Sequence, residues 1–120
     1  MSKIALVVRQ DFSMERLDVA EDFLAKMQNA VDGLIQPVDL TSNLTLWVNE
    51  EGLLRNDLGV NRFASIMYQE FFKTPDLLLG NAVFTGGTDP EGETLGLSDG
   101  MIASLVSWVT SLETVAREQD

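Results

Sequence analysis

At the middle of the chain, residues 44–64 have the sequence LTLWVNEEGLLRNDLGVNRFA. Apolar and polar residues alternate from Leu44 to Val48, as in a strand with one buried face. The next four residues, NEEG at 49–52, are turn-forming types, and Asn61 suits the cap of a helix that begins at Arg62. The stretch therefore predicts a strand, an acidic turn, a loop and the start of a helix.

The segment before this stretch predicts its pairing partner. Residues 34–40, with the sequence LIQPVDL, alternate roughly in polarity and are followed by a polar turn at 41–43. Together with residues 44–48 they predict an antiparallel hairpin with a short loop. Because Pro37 cannot donate a hydrogen bond to a neighbouring strand, we expect its strand to lie at the sheet edge or to carry a bulge.

Helical spacing predicts two more helices. From Glu15 to Val31, apolar residues recur at steps of three and four, which is the pattern of an amphipathic helix. Ser98 suits the cap of a last helix. The apolar stripe of that helix consists of Ile102, Leu105, Val109 and Leu112. We expect the tail, residues 117–120, to fray.

Three further segments are strand-like, namely residues 4–8, 77–84 and 94–97, and a glycine-rich turn separates the last two. The predicted order along the chain is therefore β-α-β-β-α-β-β-α. This order predicts one α+β domain, residues 1–120, with a mostly antiparallel sheet and helices packed on one face. A length of 120 residues is typical of one domain and allows a core without disulfides.

The composition excludes several kinds of active site. The chain contains no cysteine and no histidine, so it cannot supply a thiol nucleophile, a cysteine ligand for zinc or a Ser-His-Asp triad. Nineteen acidic residues against eight basic ones give a net charge of −11. At long range such a charge repels nucleic acid and anionic membranes, and it attracts basic partners.

No segment predicts export or membrane insertion. The apolar run after Lys3 ends at Arg9, which is too short for the core of a signal peptide. No run approaches the roughly 18 apolar residues of a membrane span. We therefore expect a soluble, cytoplasmic protein that binds neither membranes nor nucleic acid directly, located in the host cytoplasm if a phage encodes it.

Polar and aromatic residues that suit functional roles concentrate in the central stretch. The candidate binding residues are Trp47, Asn49, Glu50, Glu51, Arg55, Asn61 and Arg62. Two carboxylates beside an arginine are a set that acid–base or glycoside chemistry uses. The asparagines also suit turns and a helix cap, and Trp47 either packs in the core or forms an exposed contact. We favour turn and cap roles for the asparagines and assign no catalytic residue.

An acidic turn near the last predicted strand consists of Asp89, Glu91 and Glu93, with glycine and proline between them. Hard cations such as calcium bind carboxylate oxygens, which makes these residues candidate metal ligands. Their spacing does not match an EF-hand loop. We favour a solvated hairpin tip, and we expect no metal and no cofactor.

Four short motifs give the chain a family resemblance. They are VNEEG at 48–52, LGVN at 58–61, GNAVFTG at 80–86 and LSD at 97–99. In this order, across roughly Val31 to Ile102, they resemble a family of small uncharacterised proteins of tailed bacteriophages and other mobile elements, known as a domain of unknown function. Gly59 and Gly100 stand where proline and an acid are common in that family. The resemblance implies a phage or mobile-element origin and implies no catalytic residues.

Three functions remain open from the sequence. The first is a non-enzymatic, phage-type accessory protein that binds a host or defence protein with a basic surface. The second is a small-ligand or nucleotide-derivative binding protein, with contacts from the polar residues of the central stretch and from Trp47. The third, which we favour least, is a carboxylate- or metal-dependent hydrolase. The apolar alternation of the 34–48 hairpin is also compatible with a homodimer.

Overall fold

A computed structural model describes residues 2–52 and 57–119. Within these residues the chain forms a five-stranded sheet and three helices, and neighbouring strands are antiparallel throughout. This confirms the predicted α+β class. In space the strand order is β2-β1-β5-β4-β3. The elements in chain order are β1 (Ile4–Val8), β2 (Met14–Asp18), α1 (Phe23–Val31), β3 (Ile35–Thr41), β4 (Leu44–Asn49), α2 (Arg62–Phe72), β5 (Ala82–Thr85) and α3 (Asp99–Gln119).

The hairpin predicted around the polar turn 41–43 is present as β3 and β4. Strand β3 lies at the sheet edge, with Pro37 opposite Trp47. The pairing register also shifts between Asp39 and Thr41, which marks a bulge or irregularity. The edge position predicted from Pro37 is therefore confirmed, and both features leave this edge poorly suited to pair with a further strand.

Residues Met14–Asp18 form a strand, so the prediction of a helix over Glu15–Val31 is wrong in its first part. A tight turn, in which Phe12 adopts a left-handed backbone conformation with φ 69°, folds this segment back onto β1. Strand β2 then pairs with β1 along its whole length, and helix α1 begins at Phe23. Pairing with a buried neighbour outweighs the helical period here, because that period is a local preference worth little by itself.

Residues 94–97 do not form the predicted strand, because they return beside residues 86–88 without a continuous ladder: Thr94 makes an isolated bridge with Thr88, and the Leu97 N–H donates to the Ile4 carbonyl. The Gly86 N–H donates to the Leu95 carbonyl at 2.9 Å. The backbone at Gly87 also touches the turn between β3 and β4. A Cβ atom on Gly87 would lie 1.9 Å from the carbonyl oxygen of Ser42 in that turn. The observed order of elements is therefore β-β-α-β-β-α-β-α.

The helices cover both faces of the sheet, and the prediction that they pack on one face is wrong. Helix α1 packs with Val7 and Val83, whereas α2 and α3 pack with Leu6, Leu46 and Phe84 on the opposite side. Successive side chains of a strand point to opposite faces. Strand β1, IALVV, has no polar residue, so both of its sides need cover. That apolar run is the sequence signal for helices on both faces.

Helix α3 agrees with its predicted pattern. The Met101 N–H donates to the Ser98 Oγ at 3.1 Å, which confirms the predicted cap. Trp108 lies off the buried stripe and is 47% exposed. The helix continues to Gln119, and fraying of the tail stays a prediction. None of the helices in the described part of the chain is long and apolar enough to cross a membrane.

Candidate functional site

Asn49 joins the acidic turn to the end of α1. Its side chain is 5% exposed, and its Nδ2 donates to the carbonyls of Val31 at 3.0 Å and Asp32 at 3.1 Å. Its Oδ1 accepts from the Glu51 N–H at 2.8 Å. The carboxamide therefore satisfies two carbonyls at the helix C-terminus and closes the turn after β4. Asn49 is held by the fold and does not face a ligand.

Asn61 has a similar structural role at the start of α2. Its Oδ1 accepts from the Ala64 N–H at 3.0 Å, which confirms the predicted helix cap. Its Nδ2 donates to the carbonyls of Val8 and Gly80, both at 2.9 Å. With 1% of its surface exposed, the side chain ties α2 to the end of β1 and to the segment before β5. It offers no accessible group to a ligand.

Trp47 packs between β4 and α1, which is the core alternative considered for it. Its ring meets the ring of Phe23 edge-to-face, with centroids 5.6 Å apart and an interplanar angle of 74°. Its indole Nε1 donates to the Thr85 Oγ1 at 2.8 Å. A buried indole N–H needs such a partner, and the neighbouring strand supplies it. The ring is thus committed to the core cluster beneath α1.

The remaining candidates lie on the surface or outside the described residues. Glu50, Glu51 and Arg62 are exposed, and Arg55 falls within 53–56, which the structure does not describe. The Glu50 N–H donates to the Leu34 carbonyl at 2.8 Å, so the acidic turn lies directly beside the end of α1. Of the six candidates that the structure describes, the fold uses three, and Glu50, Glu51 and Arg62 are exposed to a partner.

We call the surface formed by Asp32, Leu34, Glu50 and Glu51 the acidic corner. All four residues are exposed, and Leu34 is 50% exposed. The C-terminus of a helix carries a negative partial charge, and α1 has no basic residue in its last turn. The helix end thus adds to the negative charge of the carboxylates. An exposed leucine among them supplies an apolar contact area at the same place.

A small recess beside the acidic corner is lined in part by Asn49, Glu50, Gly52 and Leu79. Its volume is about 110 Å³. Sites that enclose small molecules usually measure about 300–1,000 Å³. The candidate residues therefore do not surround a cavity of the size that a nucleotide would need.

The acidic turn at 89–93 is closed by its own hydrogen bonds. The Asp89 Oδ1 accepts from the backbone N–H groups of Glu91 and Glu93, each at 2.9 Å. Among residues 2–52 and 57–119, no group of three or more acidic side chains is placed to hold a metal ion. The arrangement is that of a hairpin tip, as favoured from the sequence.

Two carboxyl groups near β2 have lowered pKa values. The pKa of Asp11 lies below its usual value because the side chain and backbone of Ser13 donate hydrogen bonds to it. The pKa of Asp18 is lowered mainly by backbone N–H groups of Lys3 and Ala20, at 3.0 Å each. Both shifts arise from hydrogen-bond donors that favour the ionised form of the carboxyl group.

The family model for DUF3846, a domain of unknown function, matches residues 1–110. The chain belongs to the DUF3846 family. The matched range contains every strand, helices α1 and α2, and the first half of α3. The predicted relation to a family known as a domain of unknown function is confirmed. No curated protein and no solved structure gives a significant match.

The DUF3846 fold also assembles a polar group that the sequence did not reveal. A hollow of about 170 Å³ lies at the flank of α1. Its polar lining consists of Arg9, Glu15, Lys26, Asn29 and Asn81. These residues come from the ends of β1 and β5, from β2 and from α1. These residues could have been grouped only by predicting that residues 4–18 form a β-hairpin. The predicted helix over Glu15–Val31 excluded that pairing.

Proposed function

We propose that the protein is a non-enzymatic accessory protein that binds a basic surface of a host or defence protein through the acidic corner. The observation that carries this proposal is the exposure of Glu50 and Glu51 beside the negative end of α1. Carboxylates at that place add to the negative potential of the helix end at some cost in stability, whereas a structural role would favour a basic residue there. A surface of this charge attracts a partner with clustered lysine and arginine side chains.

The overall charge supports the same proposal. A net charge of −11 steers basic proteins towards the chain and speeds their association, particularly at low salt. Leu34 supplies exposed apolar area within the corner, and apolar area at the centre of an interface contributes much of its binding energy. The expected partner surface is therefore basic, with an apolar side chain at its centre.

The hydrogen bonding of the other candidates supports a contact surface over a catalytic or nucleotide site. Asn49 and Asn61 each make three side-chain hydrogen bonds within the fold. Trp47 donates its indole N–H to Thr85. A nucleotide could bind these side chains only if their hydrogen bonds within the fold were broken. A partner that binds the exposed Glu50 and Glu51 breaks no such bonds.

The motifs of the chain support a phage or mobile-element setting for this activity. A protein of that origin would act in the cytoplasm of the infected host, where a host or defence protein would be its target. Small size and an acidic surface are suited to occupying a basic groove that otherwise serves another ligand.

The test is a capture experiment from host lysate with two variants of equal charge change. Glu50→Lys with Glu51→Lys reverses the acidic corner. Glu91→Lys with Glu93→Lys is the matched control, because the 88–94 turn follows β5 at the opposite end of the sheet from residues 49–51. We expect the first variant to lose a specific partner that the second retains, and we expect rising salt to weaken capture. Equal capture by both variants would refute the acidic corner as the binding surface.

A further inference from the structure

The hollow at the flank of α1 exists because this helix is short. Helix α1 has nine residues and packs against β3, β4 and β5. Strand β2 lies at the edge of the sheet beside β1, and its Glu15 and Leu17 line the hollow. The hollow lies between this edge and α1, with Val7 and Leu17 as its apolar lining. Side chains from four separate segments surround that lining, so the fold itself creates the recess.

Two cations converge on this hollow in a protein whose net charge is −11. Arg9 enters from the end of β1, and Lys26 enters from α1. A guanidinium and an ammonium that line one recess are groups able to bind carboxylate and phosphate oxygens. The carboxamides of Asn29 and Asn81 line the same space. The Asn81 Nδ2 donates one N–H to the Ala30 carbonyl at 3.2 Å and keeps its second N–H as a neutral donor.

Neighbouring groups position both cations without using all their donors. The Arg9 Nη2 bonds to the Glu15 Oε1, and the Arg9 side chain remains 36% exposed. The Lys26 Nζ donates to the Asp18 carbonyl at 2.7 Å. A guanidinium has five N–H donors and an ammonium has three, so each cation keeps donors for a ligand. One bond to the protein fixes the direction of each side chain, which lowers the entropy lost on binding.

We propose that this hollow binds a small organic anion, with its carboxylate or phosphate oxygens held by Arg9 and Lys26 and its carbon atoms on Val7 and Leu17. The volume of about 170 Å³ fits a compound much smaller than a nucleotide. Glu15 contributes a negative charge at the rim, so the site selects a ligand with one anionic group over one with several. This activity is separate from the acidic corner, because none of the residues that form that corner lines the hollow.

The experiment is a nuclear magnetic resonance titration of the ¹⁵N-labelled full chain. The probes are butyrate, glycerol phosphate, inorganic phosphate and butyramide, the last being a neutral analogue of butyrate. We expect saturable shifts at the amide signals of Arg9, Lys26 and Asn81 with the two organic anions. We expect weaker binding of inorganic phosphate, which has no carbon atoms to cover the apolar lining, and no saturable shift with butyramide.

Variants of matched charge identify the groups that hold the anion. Arg9→Gln and Lys26→Gln should each weaken binding by about tenfold, as expected for losing one charge-assisted contact. Arg16→Gln is the control. Arg16 is the cross-strand partner of Leu6, so it lies on the face of the sheet that α2 and α3 cover, away from the hollow. Asn29→Asp keeps the shape of the side chain and adds a negative charge beside the anion, so it should weaken binding by at least as much.

Two results would overturn the proposal. One is the absence of a saturable shift with any of the anions. The other is an affinity that is the same in Arg9→Gln, Lys26→Gln and Arg16→Gln, which would mean that the anions bind elsewhere. Thermal melting of each variant shows whether the fold is retained, and Asn29→Asp, on an exposed helix position, keeps the test valid if Arg9→Gln fails to fold.

Discussion

Replacing Asn61 with alanine is expected to destabilise the fold more than any loss of a surface polar group. The variant removes the cap on Ala64 and leaves the buried carbonyls of Val8 and Gly80 without their donor. Loss of a cap costs about 1 kcal/mol. A buried acceptor that loses its partner costs about 1–3 kcal/mol. With each carbonyl in the lower half of that range, these terms sum to a decrease of about 3–5 kcal/mol in the free energy of unfolding.

Urea denaturation followed by circular dichroism measures this change. Domains of this size have free energies of unfolding of about 5–15 kcal/mol, so the variant would lose a large share of its stability. With a urea dependence of about 2 kcal/mol per molar, the midpoint should fall by about 2 M. Asn43→Ala is the control, since Asn43 is exposed in the β3–β4 turn. A change within about 0.5 kcal/mol is expected there.

Asn61→Asp separates the cap from the two other bonds. Aspartate is as good a cap as asparagine, so it keeps the acceptor for the Ala64 N–H. It cannot donate to Val8 and Gly80 when ionised, and it places a negative charge against their carbonyl oxygens. We therefore expect this variant to be at least as unstable as Asn61→Ala at neutral pH. Stability close to that of the unchanged chain would refute the role assigned to the donors of Asn61.

Two further predictions concern a backbone contact and a carboxylate. Gly87→Ala should lower the melting temperature sharply, because its Cβ atom would lie 1.9 Å from the carbonyl oxygen of Ser42. Gly100→Ala is the control, because Gly100 has open space around it in α3, and it should leave the melting temperature equal or higher. Equal melting temperatures of the two variants would contradict the close packing at Gly87. The lowered pKa of Asp18 makes its contribution to the free energy of unfolding full at neutral pH, and that contribution is lost as the pH falls through the folded-state pKa. Asp18→Asn should therefore lose less stability than the unchanged chain between about pH 5 and pH 2, and parallel pH profiles would contradict this.

Local patterns predicted those features whose partners are close in sequence. The cap of α2 at Asn61, the stripe of α3 and the edge position of Pro37 depend on residues a few positions apart. In these cases the residue type itself limits the backbone or supplies the hydrogen bond. For the same reason the turn roles of Asn49 and Asp89 followed from the sequence, and the structure agrees with them.

Long-range pairing decided the features that sequence reasoning missed. Residues 14–18 have a helical apolar period, yet β1 provides a strand partner that their own sequence does not display. The second and third hydrogen bonds of Asn61 join segments 53 and 19 residues away. The hollow beside α1 depends on where that helix begins, and its residues come together through β2. None of these relations has a periodic signal within one segment.

The two edges of the sheet have a consequence for how copies of the chain associate. Two copies of β2 paired antiparallel about a two-fold axis would place Arg16 opposite Arg16 or Glu15 opposite Glu15. At the other edge, Pro37 and the irregular register of β3 interrupt a continuous ladder. Pairing of copies through either edge is therefore disfavoured in these registers, which counts against joining sheets into fibres. We predict that copies of this chain, where they associate, do so through helix faces, with the sheet ending within each copy.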